Sequence, residues 1–154
     1  MYRPGDDKHL HSRSELFDRI VALLAGRAAE EEALGEVSSG AADDLERATS
    51  MARRMVAVLG MSAAIGPVNL GGGPAATMMA PPGKQVSERT AIEVDAAVRK
   101  LILDAYQMAL RTVREHREAL ERVANALVEL ETLDSDQLED FIAGSIDVPV
   151  APGI

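Results

Sequence analysis

Ser12-Arg13-Ser14-Glu15-Leu16-Phe17-Asp18-Arg19-Ile20-Val21-Ala22-Leu23-Leu24-Ala25-Gly26-Arg27-Ala28 opens on Ser-x-x-Glu and then repeats apolar residues at helical spacing. The Ser12 hydroxyl is placed to accept the third amide of a helix, and Glu15 can reach back to the Ser12 N–H, which together form a capping box. Leu16, Ile20, Leu23, Leu24 and Ala28 share one face, with Asp18 and Arg19 on the other, until Gly35 supplies a stop. The spacing predicts a helix over about 13–33 whose apolar stripe needs further helices to cover it. After Gly35 to Gly40, Leu45, Ala48, Ala52, Met55 and Leu59 step by three or four, with Arg47, Arg53 and Arg54 off the stripe. A second helix follows over about 43–59, and Gly60 suits a left-handed ending.

Between Gly66 and Gln85 neither period is sustained, and Gly71-Gly72-Gly73, Pro74, Pro81 and Pro82 mark a loop over about 62–86. Ser87 can cap a third helix over 88–115, with a stripe of Val94, Val98, Leu101, Ala105, Met108 and Thr112. Leu120, Val123, Leu127 and Leu130 form another stripe over 117–131. The stripe must re-register near His116, which implies a bend there. Asp134 can cap a last helix over 135–142, ahead of a tail over 144–154; residues 1–11 form a polar leader. With no strand pattern and no internal repeat, the expected fold is all-α, an antiparallel helical bundle.

Composition narrows the function. The 154 residues are 47% hydrophobic and 27% charged with no cysteine, which fits one globular domain and excludes disorder, collagen and a disulfide scaffold. Twenty-five acidic against 16 basic residues give a net charge of −9, and 3% aromatic content supplies few stacking rings, so nucleic acid is not an expected partner. The longest apolar run, Ile20 to Ala29, is broken by Arg27 and falls short of the roughly 20 residues that cross a bilayer. No membrane span is expected, and no apolar signal core opens the chain, so a cytoplasmic location is compatible.

Few residues suggest chemistry. Gly83-Lys84 is not followed by Ser or Thr, so no Walker loop is formed. His9 and His11 are two apart, whereas ligands on one helical face need three or four, and they read as solvated. His116 falls with Val113 and Leu120 on a helix seam and reads as packed or interfacial, while Glu30-Glu31-Glu32 reads as a solvated acidic run. Asp43-Asp44 sits at a helix start, where carboxylates favour the amide dipoles or cap the helix. A metal role needs partners, because catalytic zinc takes three protein ligands, and no two histidines here are spaced to join an aspartate.

Gly26-Arg27-Ala28-Ala29-Glu30-Glu31, followed by Gly35-Glu36-Val37-Ser38-Ser39-Gly40-Ala41-Ala42-Asp43-Asp44-Leu45-Glu46-Arg47-Ala48-Thr49, resembles the peptidase domain of FtsH-type AAA+ zinc metalloproteases. The likeness continues through Ala52-Arg53-Arg54-Met55-Val56, Gly60-Met61-Ser62, Ile65-Gly66-Pro67-Val68, Ser87-Glu88-Arg89-Thr90-Ala91 and Glu131-Thr132-Leu133-Asp134. It implies a helical peptidase domain that forms a six-fold ring beneath a membrane-anchored ATPase ring, on the cytoplasmic face of the membrane, and degrades proteins fed to a zinc site. By resemblance, Asp44 corresponds to the third zinc ligand, and Glu30 to a supporting residue near the metal. The other two ligands and the general base belong to a His-Glu-x-x-His helix, in which zinc polarises the peptide carbonyl and acidifies water. That motif does not occur in these 154 residues, nor does an ATPase module. Glu32, where the family has an apolar residue, and Gly71 to Gln85 depart from the family pattern.

The chain is thus expected to be the C-terminal part of an FtsH-type peptidase domain, as a truncated, split or degenerate form. On its own it is expected to hold no zinc tightly and to cleave no peptide. The second hypothesis is a non-catalytic helical interaction or oligomerisation module, whose open apolar groove Leu16, Ile20 and Leu24 would line. A third, a binding protein that uses Met78 and Met79, rests only on methionine's adaptability.

Overall fold

A computed structural model describes residues 11–71 and 86–145. Helix α1 spans Arg13–Leu34, a 3-10 turn at Ser39–Ala41 runs into α2 over Ala42–Ala57, α3 spans Glu88–Glu115, α4 Arg117–Leu130 and α5 Ser135–Ala143. Among the described residues there is no strand, and the fold is all-α. Both halves of the Ser12 capping box form: Glu15 N–H donates to Ser12 Oγ at 3.2 Å, and Ser12 N–H donates to Glu15 Oε2 at 2.7 Å. The Ser12 N–H first, and then the Ser12 side chain, hold the Glu15 carboxyl below the usual carboxylate range. Gly35 ends α1 at φ 73°, a backbone region that disfavours a Cβ, and its N–H donates to Glu31 O.

The chain divides into two compact units, Met1–Leu110 and Arg111–Ile154, with the boundary inside α3. In the first unit α1 and α2 are antiparallel. Their short connection joins the end of one to the start of the other, and Arg13 Nε at the start of α1 donates to Met61 O just past α2 at 3.0 Å. Their contact is built on small residues: Ala28, Ala48 and Ala52 each have 0% exposure, flanked by Ile20, Leu24, Met55 and Val56. From α3, Val94, Val98, Ala105 and Ala109 are buried as well. Arg53 Nη2 meets Asp95 Oδ1 at 2.9 Å with both side chains well exposed, so this pair contributes at most about 1 kcal/mol. Apolar burial therefore dominates. Gly60, at φ 62°, lets the chain reverse after α2, and a Cβ there would lie 2.9 Å from Pro67 Cα.

The second unit pairs α4 with α5. Asp134 closes a capping box with Gln137, and Arg122 Nε and Nη2 donate to the carbonyls of Phe141 and Ile142 at 2.9 and 3.1 Å. The start of α4 thereby lies beside the end of α5, and Phe141 and Ala126 are buried.

Several expected core positions are corrected. Met108 is 41% exposed and Thr112 is exposed, while Ala109, Leu110 and Val113 are buried. The α3 seam advances by fours from Ala105, which rotates it away from a strict three-four alternation. Leu45, Leu59, Leu120, Leu127 and Leu130 are likewise exposed, because a small unit covers only a narrow arc of each helix. His116 is exposed rather than packed: the break between Glu115 and Arg117 turns its ring outward, where Nδ1 contacts Thr112 O at 2.9 Å. Among the described residues no helix is long and apolar enough to cross a membrane.

Ile20, fully buried, and Leu127, 43% exposed, should respond differently to truncation. Ile20→Ala is expected to cost about 2–5 kcal/mol in urea unfolding followed by circular dichroism, and Leu127→Ala less than about 1 kcal/mol. Equal losses would contradict this division of the core.

Candidate functional site

The antiparallel packing of α1 and α2 brings Glu30, near the end of α1, to the turn that begins α2. Glu30 Oε2 accepts the Ser38 N–H at 3.0 Å, and Oε1 accepts the Ser38 hydroxyl at 2.9 Å. The Ser38 oxygen in turn accepts the Gly40 N–H at 3.1 Å, and the Ala42 N–H donates to Ser39 O. One carboxylate thus fixes the serine that shapes the 3-10 turn. Gly40 belongs to the same arrangement, since a Cβ there would come within 3.2 Å of Ser38 Oγ. The backbone bond first and the hydroxyl bond second hold the Glu30 carboxyl below the usual carboxylate range.

Asp43 and Asp44 follow in the first turn of α2. Neither caps it: the residue at the N-cap is Ala41, which offers no side-chain acceptor. Their charge still favours the helix dipole by about 0.3–1 kcal/mol. Among the described residues no hydrogen bond or ion pair engages the half-buried Asp44, which leaves its oxygens free for another donor or a cation.

The acidic run is not simply solvated. Glu30 holds Ser38, Glu31 accepts the Tyr106 hydroxyl, and Glu32 is also engaged in an interaction. Successive helical residues point about 100° apart, so Glu30 and Glu31 meet different neighbours. Burial, and then the Glu31 contact, push the Tyr106 hydroxyl up.

No three His, Asp or Glu side chains converge among the described residues. His9 lies outside them, and His116 belongs to the second unit. A single free carboxylate does not fit a zinc centre, which takes three protein ligands, so these residues do not by themselves complete one. The groove expected on α1 is present but lined differently. About 750 Å³ opens between α1 and α2 against Leu16, Leu23, Met51, Met55 and Leu59. Ile20 and Leu24, at 0 and 2% exposure, belong to the core instead, while Leu16 lines the groove as expected. Ser38 carries no periodic signal of its own, although Ser-Ser-Gly ahead of a helix is a local turn signal.

The sequence that forms these helices and this turn has relatives among known proteins. The sequence matches Peptidase family M41 over residues 1–141. It is 48% identical over 149 residues to the ATP-dependent zinc metalloprotease FtsH of Methylibium petroleiphilum, a match that covers 94% of this chain and 24% of that one. It is 40% identical to the Thermotoga maritima protein of the same name, over 93% of this chain and 24% of that one, and 38% identical to that of Bacillus subtilis, over 90% and 22%. The chain belongs to peptidase family M41, and spans about a quarter of the length of these relatives.

A depressed carboxyl adds stability that is present at neutral pH and lost as the pH falls through its folded-state value, because the unfolded chain then binds the proton more readily. Carbon-detected NMR titration is expected to place Glu30 below the ordinary glutamate range. Ser38→Ala, which removes the hydroxyl donor, is expected to raise the Glu30 value; no change would contradict the bond.

Proposed function

We propose that these residues, chiefly 12–143, form the C-terminal helical part of the peptidase domain of an ATP-dependent zinc metalloendopeptidase that degrades membrane and soluble proteins. The observation that carries this reading is the uncommitted Asp44 carboxylate in the first turn of α2, within a chain 48% identical to a zinc metalloprotease. Asp44 offers the zinc one carboxylate oxygen. Glu30 supports it at one remove, since the Glu30–Ser38 bonds fix the turn that sets where α2 begins. The remaining ligands and a general base come from a His-Glu-x-x-His segment, and an ATPase module supplies unfolded protein substrate at the cytoplasmic face of a membrane. In this reading the domain works as a homo-oligomer, a hexameric ring in the family.

The same reading makes these 154 residues inactive alone. One carboxylate does not hold a zinc against water, and no His-Glu-x-x-His base occurs in the sequence to take a proton from a metal-bound water. A second reading, a non-catalytic interaction module, is favoured by the open groove between α1 and α2.

Chelator-competition zinc titration at neutral pH is expected to show no tight one-to-one site in the purified chain and no difference between it and Asp44→Asn, with casein left uncleaved. In a protein that joins this sequence to a His-Glu-x-x-His segment, Asp44→Asn is expected to lower zinc affinity by about 10-fold or more and to abolish cleavage. Undiminished zinc binding by that variant would overturn the assignment of Asp44.

A further inference from the structure

Two polar contacts tie α3 to the α1–α2 pair. Near the start of α3, Asp95 meets Arg53 of α2 at 2.9 Å. Further along, Tyr106 donates its hydroxyl to Glu31, close to the end of α1. A helix rises about 1.5 Å per residue, so Asp95 and Tyr106 lie about 16 Å apart along α3. Arg53 stands the same number of residues from Ala42, where α2 begins. Tyr106 thus reaches the end of the pair that carries Glu30, Ser38 and Asp44.

That end of α1 needs holding. Glu30, Glu31 and Glu32 place three carboxylates near a helix C-terminus, where negative charge opposes the helix dipole, and the last turn contains no basic residue. Left to itself such a terminus frays. The donors of Ser38 hold Glu30, and the half-buried Tyr106 holds Glu31 from another side. Arg27, one turn before Glu31, lies close enough for its charge to act on both Tyr106 and Glu30. The same turn of α1 is therefore gripped by α3 through Glu31 and by the approach to α2 through Glu30.

We propose that Tyr106 is a positioning residue for the Asp44 end of the fold: its hydroxyl holds Glu31, which keeps the end of α1 wound and Glu30 on Ser38, and so fixes where α2 begins. Tyr106 acts through Glu31 and not on Asp44 itself. That this end serves a zinc site rests on the reading above; the grip of Tyr106 on it does not.

Site-resolved amide exchange of the chain, with no metal present, tests it. Tyr106→Phe removes only the hydroxyl, and circular dichroism should show unchanged helix content. The amides of Ser38, Gly40 and Ala42 are expected to exchange about threefold faster or more in that variant, the loss that one hydrogen bond brings. These amides lie in or beside an exposed turn and exchange through local opening, which a general loss of stability does not speed up, so a merely structural role for Tyr106 would leave them unchanged. Glu31→Gln keeps an acceptor for the hydroxyl and is expected to keep the protection. In Tyr106→Phe, carbon-detected titration should also find the Glu30 carboxyl moved up toward the ordinary glutamate range, because its Ser38 donors are held less firmly. Turn amides no faster in Tyr106→Phe would overturn the proposal, whatever Asp44→Asn does to zinc binding. Undiminished zinc binding by Asp44→Asn, together with faster turn amides, would overturn the zinc reading and leave Tyr106 in its role.

Discussion

Three alanines set the geometry on which the rest depends. Ala28 of α1 and Ala48 and Ala52 of α2 have no exposed surface, and such small side chains let two helix axes approach at the close end of the usual range of about 8–10 Å. Because only the Gly35 turn and the 3-10 turn lie between the helices, close antiparallel packing leaves one arrangement: the end of α1 lies beside the start of α2. Glu30 and Asp44 are brought to the same end of the helix pair as a consequence. A larger residue at any of these alanines would have to separate the helices, and the Glu30–Ser38 bonds at 3.0 and 2.9 Å have no slack to follow.

Much of this was legible in the sequence because its signals are local. Ser12 and Glu15, Gly35, and Asp134 with Gln137 act within three or four residues of themselves, and each does in the fold what its chemistry dictates. The all-α class followed from the same short-range periods. Less legible was which arc of each helix is covered, since that depends on neighbours. Met108 and Thr112 fit the α3 stripe by spacing, yet the seam turned past them to Ala109 and Val113. Leu120, Leu127 and Leu130 form a stripe that one partner helix, α5, is too small to bury. At the candidate site, resemblance singled out Asp44 and Glu30, but periodicity alone gave no reason for either. The bond from Glu30 to Ser38 crosses eight residues and a change of direction, beyond the reach of spacing rules.

Charge organises the surface in two opposed ways. Asp44 carries a carboxylate that no hydrogen bond or ion pair engages among the described residues, and on the same helix Arg47, about one turn on, and Arg54, about three turns on, line an apolar groove. The chain belongs to Peptidase family M41 and spans about a quarter of the length of the relatives it matches.

The central claim is that Glu30 sets the start of α2, and with it Asp44, through Ser38. Amide hydrogen exchange at Gly40 and Ala42 tests this most directly, in the chain itself and in Glu30→Gln, Ser38→Ala and the double variant. If the two residues act through one contact, each single change should lower protection at both amides, and the double variant should be no worse than the more damaging single one. Protection left intact by Glu30→Gln, or losses that simply add, would contradict the account.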